Sequence, residues 1–201
     1  MSLFSRMIVV LTSVGILSGG FLASVGLLTK KRIALNKQRE IENAIFLVVP
    51  GTHSIQKLYE EKDLVLYGGI EEEGKILGYA IQASVVGFQD KITFMFGTNI
   101  TITKINSLTI IEQKETPGLG AKITSHEFFL QYWKNKNCSG SLSLKRPAVS
   151  SADELSASEV NTITGATISS EAVLNSVNKS IEKLKTLKEG RKLNIKGENA
   201  S

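Results

Sequence analysis

Three kinds of residue are scarce in this 201-residue chain, which has one cysteine, two histidines and three prolines. A single cysteine, Cys138, forbids an internal disulfide and leaves no thiolate cluster for zinc or an iron–sulfur centre. His53 and His126 stand apart from any patterned carboxylates, so no metal site is expected. His126 reads as a surface residue, and no catalytic residue is assigned. The net charge of +5 is modest. Basic residues between Lys179 and Lys196 alternate with Glu182, Glu189 and Glu198 without aromatic interleaving, which describes a solvated helix face and not a nucleic-acid patch.

Charge is missing altogether from Met7 to Leu28, a run of 22 residues. As a helix it would be about 33 Å long against a hydrocarbon core of roughly 30 Å. The apolar part of a cleaved signal would be shorter, at about 7 to 15 residues, and would end in a small-residue cleavage site that is absent here. A retained single-pass anchor is therefore expected, with no charge inside it for an ion to use. Lys30, Lys31, Arg32, Lys37 and Arg39 follow the span, whereas Arg6 alone precedes it, so the positive-inside rule places the C-terminal part in the cytoplasm.

Beyond the anchor, Ile33, Lys37, Ile41, Ala44, Ile45 and Val48 recur at helical spacing up to a stop at Pro50-Gly51. Leu64 to Ile70, Ile76 to Val86, Ile92 to Phe96 and Ile100 to Ile111 are rich in β-branched and aromatic residues. They predict an antiparallel sheet with turns at "EEEGK" and "GFQDK". The segment "TSHEFFLQYWKN" has capping-box spacing from Thr124 to Glu127, which predicts a helix with Phe128, Phe129, Tyr132 and Trp133 on one side. Ser139 to Ser158 reads as a loop or crossover. Leu174, Val177, Ile181, Leu184 and Leu187 then mark an amphipathic helix ending near Gly190. The expected class is α+β: one transmembrane helix, then a single domain with an antiparallel sheet and flanking helices.

Two motifs carry the chemistry. In "KETPGLGAK", Lys114 to Lys122, Pro117 fixes one backbone angle while Gly118 and Gly120 permit a turn lying close against a flat ligand. A tight strand-to-helix connection fits the same residues. In "NTITGATISS", Asn161 to Ser170, hydroxyls at Thr167, Ser169 or Ser170 suit a helix cap, and the same helix start suits a phosphate. Residue chemistry leaves both readings open.

Together the two motifs resemble the FMN-binding domain shared by the G subunit of the Rnf complex and the C subunit of the sodium-pumping NADH:quinone reductase. The anchor, "LTKKRIALNKQREIENAIFLVVPG" and the motif order extend the resemblance, and the short length favours the Rnf protein. The resemblance implies FMN joined through its phosphate to Thr167 by a separate flavin transferase. It further implies cofactor contacts from Glu115, Thr116, Pro117, Gly118, Leu119 and Gly120 in one motif, and from Thr164, Gly165, Ala166, Ser169 and Ser170 in the other. Gly165 and Ala166 would keep the approach clear, with Ser169 and Ser170 capping the helix. The transferase pattern usually begins with Asp six residues before the threonine, where this chain has Asn161. The implied organisation is a tail 1–6, a transmembrane helix 7–28, a juxtamembrane helix 29–50, an FMN-binding domain 51–190 and a flexible tail 191–201.

The implied role is electron transfer within a redox-driven translocase, with the chain not catalytic alone. Its implied partners are membrane and iron–sulfur subunits, including another flavin-carrying membrane subunit, and membrane lipid. The resemblance also puts the flavin domain on the extracytoplasmic side of the inner membrane, against the charge count. The alternatives are the quinone-reductase protein and a membrane-anchored assembly module without flavin.

Overall fold

The computed structural model describes residues 2–190 and Leu193. The expected tail 191–201 otherwise lies outside the described residues. Two compact units divide the chain, Met1–Ile41 and Glu42–Ser201. Helix α1, Leu3–Val48, supplies the first unit and places its last turns in the second. Its apolar part is exposed along its length, and among the described residues it is the one helix long and apolar enough to cross a membrane.

In the second unit a five-stranded antiparallel meander has β1 (Ser54–Glu61), β2 (Leu64–Ile70), β3 (Ile76–Val86), β4 (Lys91–Asn99) and β5 (Ile105–Glu112) in spatial order. A short parallel pair, β6 (Ser143–Lys145) and β7 (Glu159–Asn161), follows, and α2 (Thr167–Glu189) closes the chain. This is the α+β arrangement expected. The bounds of β2 and β3 match the predicted strands, whereas the predicted Ile100–Ile111 strand begins only at Ile105. Ile102, with φ of 57°, and the Asn99 side chain, which accepts from the backbone N–H groups of Thr103 and Lys104, hold residues 99–104 in a turn instead.

Alternation explains why the sheet has two different faces. Tyr79, Ile81 and Ala83 of β3 and Ile92, Phe94 and Phe96 of β4 point into one core with Leu58, Leu66 and Leu108. Helix α2 covers this face with Val173, Leu174, Val177, Ile181, Leu184 and Leu187. The expected helix over "TSHEFFLQYWKN" is not formed. Thr124 donates its hydroxyl to the carbonyl of Ala121 and so does not cap, and only a 3-10 helix, Leu130–Trp133, follows. Phe128 lies in the turn before it and is exposed, while Phe129, Tyr132 and Trp133 are buried. Phe129 and Trp133 meet edge to face with centroids 5.7 Å apart.

The opposite face is covered by Ala44, Ile45, Val48 and Val49, all buried. Glycines make room for them. A Cβ at Gly69 would lie 2.8 Å from Val49 Cγ1, and one at Gly97 would overlap the Val48 carbonyl. Asn106 Nδ2 donates to the carbonyl of Val48 at 3.3 Å and Ser107 Oγ to that of Leu47 at 3.4 Å, so two orphan carbonyls at the end of α1 find donors on β5.

Gly97→Ala tests this packing. Forcing a methyl against the Val48 carbonyl should cost about 1–3 kcal/mol. For a domain of this size that lowers the thermal midpoint by roughly 2–12 °C. Thermal unfolding of the purified variant at the parental midpoint would show that the close approach is not needed.

Candidate functional site

The two glycine-containing motifs, some fifty residues apart in sequence, meet at one end of the sheet. The first leaves β5 after Glu112 as the turn Glu115–Gly120, closed by hydrogen bonds from the N–H groups of Leu119 and Ala121 to the Thr116 carbonyl, each 3.2 Å. Gly118 has φ of 77°, the left-handed region that favours glycine, and nothing stands within 4 Å of where its Cβ would be. A 3-10 helix, Gly120–Thr124, continues the chain.

Glu115 turns inward and is 4% exposed. One carboxylate oxygen, Oε1, accepts from the backbone N–H groups of Gln89 (3.0 Å) and Asp90 (3.3 Å) in the β3–β4 turn. The other, Oε2, accepts from the Ser169 hydroxyl at 2.7 Å. Thr116 adds a second tie to the same turn by donating to Gln89 Oε1 at 2.8 Å. Gly87 and Gly120 border the carboxylate so closely that a Cβ on either would overlap it.

The second motif arrives from β7. Ala166 N–H closes a turn onto the Ile163 carbonyl at 2.9 Å, with Gly165 at φ of 83°. A Cβ on Gly165 would come 3.2 Å from Leu119 Cδ2, so the two motifs touch here as well. Helix α2 begins at Thr167, with Ala166 as N-cap and no side-chain cap hydrogen bond. The expected capping by Ser169 and Ser170 is therefore overturned. The Ser169 hydroxyl is spent on Glu115, and the buried Ser170 hydroxyl donates to the Ala166 carbonyl at 3.0 Å. Neither accepts from the helix, which leaves the amides of the first turn without a capping side chain.

Placement sorts the expected contacts into two tiers. Pro117, Gly118, Leu119, Thr164 and Gly165 are exposed and Thr116 and Thr167 half-buried, whereas Glu115, Gly120, Ala166, Ser169 and Ser170 are buried beneath them. The Ala166 methyl joins the core instead of clearing an approach. An anion with a flat, partly apolar body fits this surface. The uncapped helix start supplies amide donors and the positive dipole end, while Gly118 and Gly165 leave backbone uncovered. Exposed Val86, Phe88, Leu119 and Ile168 add apolar surface on the same three segments.

Sequence reasoning missed three participants. Gln89 and Phe88 lie on the β3–β4 turn, where nothing local marks them. Arg146 pairs with Glu171 near the start of α2 and is brought there only by the crossover. Cys138 is buried and its thiol is pushed up by burial, with Lys185 opposing more weakly, so it offers no reactive thiolate.

Asn161 is buried and fully engaged. Its Oδ1 accepts from Val149 N–H at 2.9 Å and its Nδ2 donates to the Val149 carbonyl at 2.7 Å. An amide satisfies both backbone groups, whereas an ionised aspartate would accept from the first and repel the second.

Residues 87–182 match the model of the FMN-binding domain family. The chain is 29% identical over 119 residues to the G subunit of the ion-translocating oxidoreductase complex of Methanosarcina acetivorans, covering 59% of this chain and 57% of that protein. It is 26% identical over 185 residues to the G subunit of the proton-translocating ferredoxin:NAD(+) oxidoreductase complex of Clostridium ljungdahlii, covering 90% and 91%. With the G subunit of the Na(+)-translocating ferredoxin:NAD(+) oxidoreductase complex of Acetobacterium woodii it shares 30% identity over 123 residues, 61% of this chain and 56% of that one. The matched region thus spans little more than half the length of the first and third relatives. The crystal structure of Shewanella oneidensis NqrC has the same fold, with a TM-score of 0.62 at 15% identity over 76% of this chain and 99% of that one.

Asn161→Asp should cost about 1–3 kcal/mol at neutral pH, because a carboxylate would face the Val149 carbonyl and leave it unsatisfied. Such a carboxyl has a folded pKa above its unfolded value, so the deficit should shrink as pH falls towards the ordinary aspartate range near about 4. Denaturant titrations of parent and variant at both pH values measure it; an equal deficit at the two would contradict the assigned pairing.

Proposed function

We propose, from the premise that this chain is a member of the FMN-binding domain family, that it is the membrane-anchored flavin subunit of an Rnf-type, ion-translocating ferredoxin:NAD oxidoreductase complex. FMN is carried as a phosphoester on Thr167. The observation that carries the reading is the start of α2: Thr167 is its first residue and no side chain caps it. The free amides of that first turn would hold the phosphate where a capping side chain is missing. The dipole contributes roughly 0.3–1 kcal/mol when exposed and about 2 kcal/mol when partly buried.

Bound FMN supplies the redox chemistry, and the residues of this chain hold and shield it. Thr164 to Thr167 form the attachment turn, Pro117, Gly118 and Leu119 line the adjacent surface, and Glu115 and Ser169 brace both from below. No described side chain hydrogen-bonds the Thr167 hydroxyl to activate it, which supports attachment by a separate flavin transferase. Residues 7–28 anchor the chain in the inner membrane, with the flavin domain extracytoplasmic. Lys30, Lys31 and Arg32 then lie at anionic lipid heads or against partner subunits. Because Met7 to Leu28 carries no charge, ion movement belongs to other membrane subunits. The partners of this subunit would be iron–sulfur subunits and a second flavin-carrying membrane subunit, with FMN supplying the electron carrier between them. The likeness to NqrC is one of fold, and the relatives named as G subunits favour the ferredoxin complex over the quinone reductase.

Thr167→Val separates attachment from folding. The variant should lose all flavin fluorescence on a denaturing gel, yet melt within about 2–4 °C of the flavin-free parent, since it removes no cap and the loss amounts to ~1 kcal/mol or less. Retained in-gel fluorescence would place the flavin elsewhere.

A further inference from the structure

Glu115 is a buried charge with no cation beside it. Its three hydrogen-bond partners, Gln89 N–H, Asp90 N–H and the Ser169 hydroxyl, all donate and none is charged. Among the described residues it forms no ion pair. Lys114, its neighbour in sequence, faces Asp90 at 3.9 Å, and Lys122 lies over the Phe128 ring, 5.3 Å from its centroid. Two backbone amides on one oxygen and a hydroxyl on the other suit a carboxylate. Burial removes the water that would otherwise screen it. Its position is central: Ser169 is two residues from Thr167, and the exposed turn Pro117–Leu119 follows Glu115 directly.

We propose that the Glu115 carboxylate is an electrostatic tuning group, a positioning residue that holds the flavin turn and biases the flavin towards its oxidised state. The inference rests on the reading that FMN sits at Thr167. FMN held there would gain negative charge on reduction by its redox partner. A fixed negative charge in a poorly screened site opposes that addition and so lowers the potential. Glu115 itself exchanges no electron with the flavin. A neutral brace would have held the same three segments, so an unneutralised carboxylate adds a field that bracing does not require.

Two substitutions separate field from bracing. Glu115→Gln keeps an oxygen for the Gln89 and Asp90 amides and places an NH2 group where it can donate to Ser169 Oγ, removing the charge alone. Ser169→Ala keeps the charge and removes one donor that partly neutralises it. Spectroelectrochemical titration of the FMN-loaded full-length chain in detergent reads the outcome. E115Q should shift the redox equilibrium at least tenfold towards reduced flavin, which is about 59 mV for one electron or about 30 mV for two. S169A should shift it by less and in the opposite sense.

A flavin-loaded E115Q at the parental potential overturns the inference. So does movement of both variants in the same direction, as simple loosening would produce, and so does a folded E115Q that takes up no flavin. If E115Q does not fold, S169A decides: a lowered potential supports the inference, and an unchanged or raised one overturns it. Failure of the underlying reading is distinguishable, because the parental chain would then carry no covalent FMN, and the inference would fall with it.

Discussion

The buried carboxylate of Glu115 is the constraint on which the site depends. Its two oxygens join three segments far apart in sequence: the β3–β4 turn, the Glu115–Gly120 turn and the first turn of α2. Each of these is a loop or an element end, the kind of segment that otherwise has high local freedom. Three hydrogen bonds to one buried side chain hold them in register. Gly87 and Gly120 are part of the same device, since a side chain on either would occupy the carboxylate's place.

The same sheet that supports this site also separates it from the point where the chain enters the domain. The turn at residues 87–90 lies at one end of β3 and β4, while Val48 packs on Gly97 towards the other end. Six residue steps along β4, from Lys91 to Gly97, cover on the order of 20 Å. Thr167 thus lies at the end of the domain remote from residues 42–48. Phe88, Leu119 and Ile168 form an exposed apolar rim there.

Much of the fold was legible in the sequence, and what was not has physical causes. β2 and β3 could be read to the residue because both are rich in β-branched and aromatic residues and Gly or charged turns bound them. β1, "SIQKLYEE", escaped because an edge strand with one buried residue, Leu58, leaves no alternation to see. The aromatic run from Phe128 to Trp133 suggested a helical face, but residues 126–129 form a turn that leaves Phe128 outside. At the site, the motifs and Thr167 could be picked out locally. The roles of Ser169 and Glu115 could not, because they bond across 54 residues of sequence. Asn161 looked like a departure from a family pattern; its pairing with Val149 across 12 residues supplies a reason for the amide.

The central claim is that the uncapped start of α2 carries a flavin phosphate. Intact mass and peptide mapping of the chain, expressed in a host that has the flavin transferase, test it most directly. One FMN per chain, on the peptide containing Thr167 and surviving denaturation, is the predicted result. An unmodified Thr167 peptide at full occupancy would contradict the account.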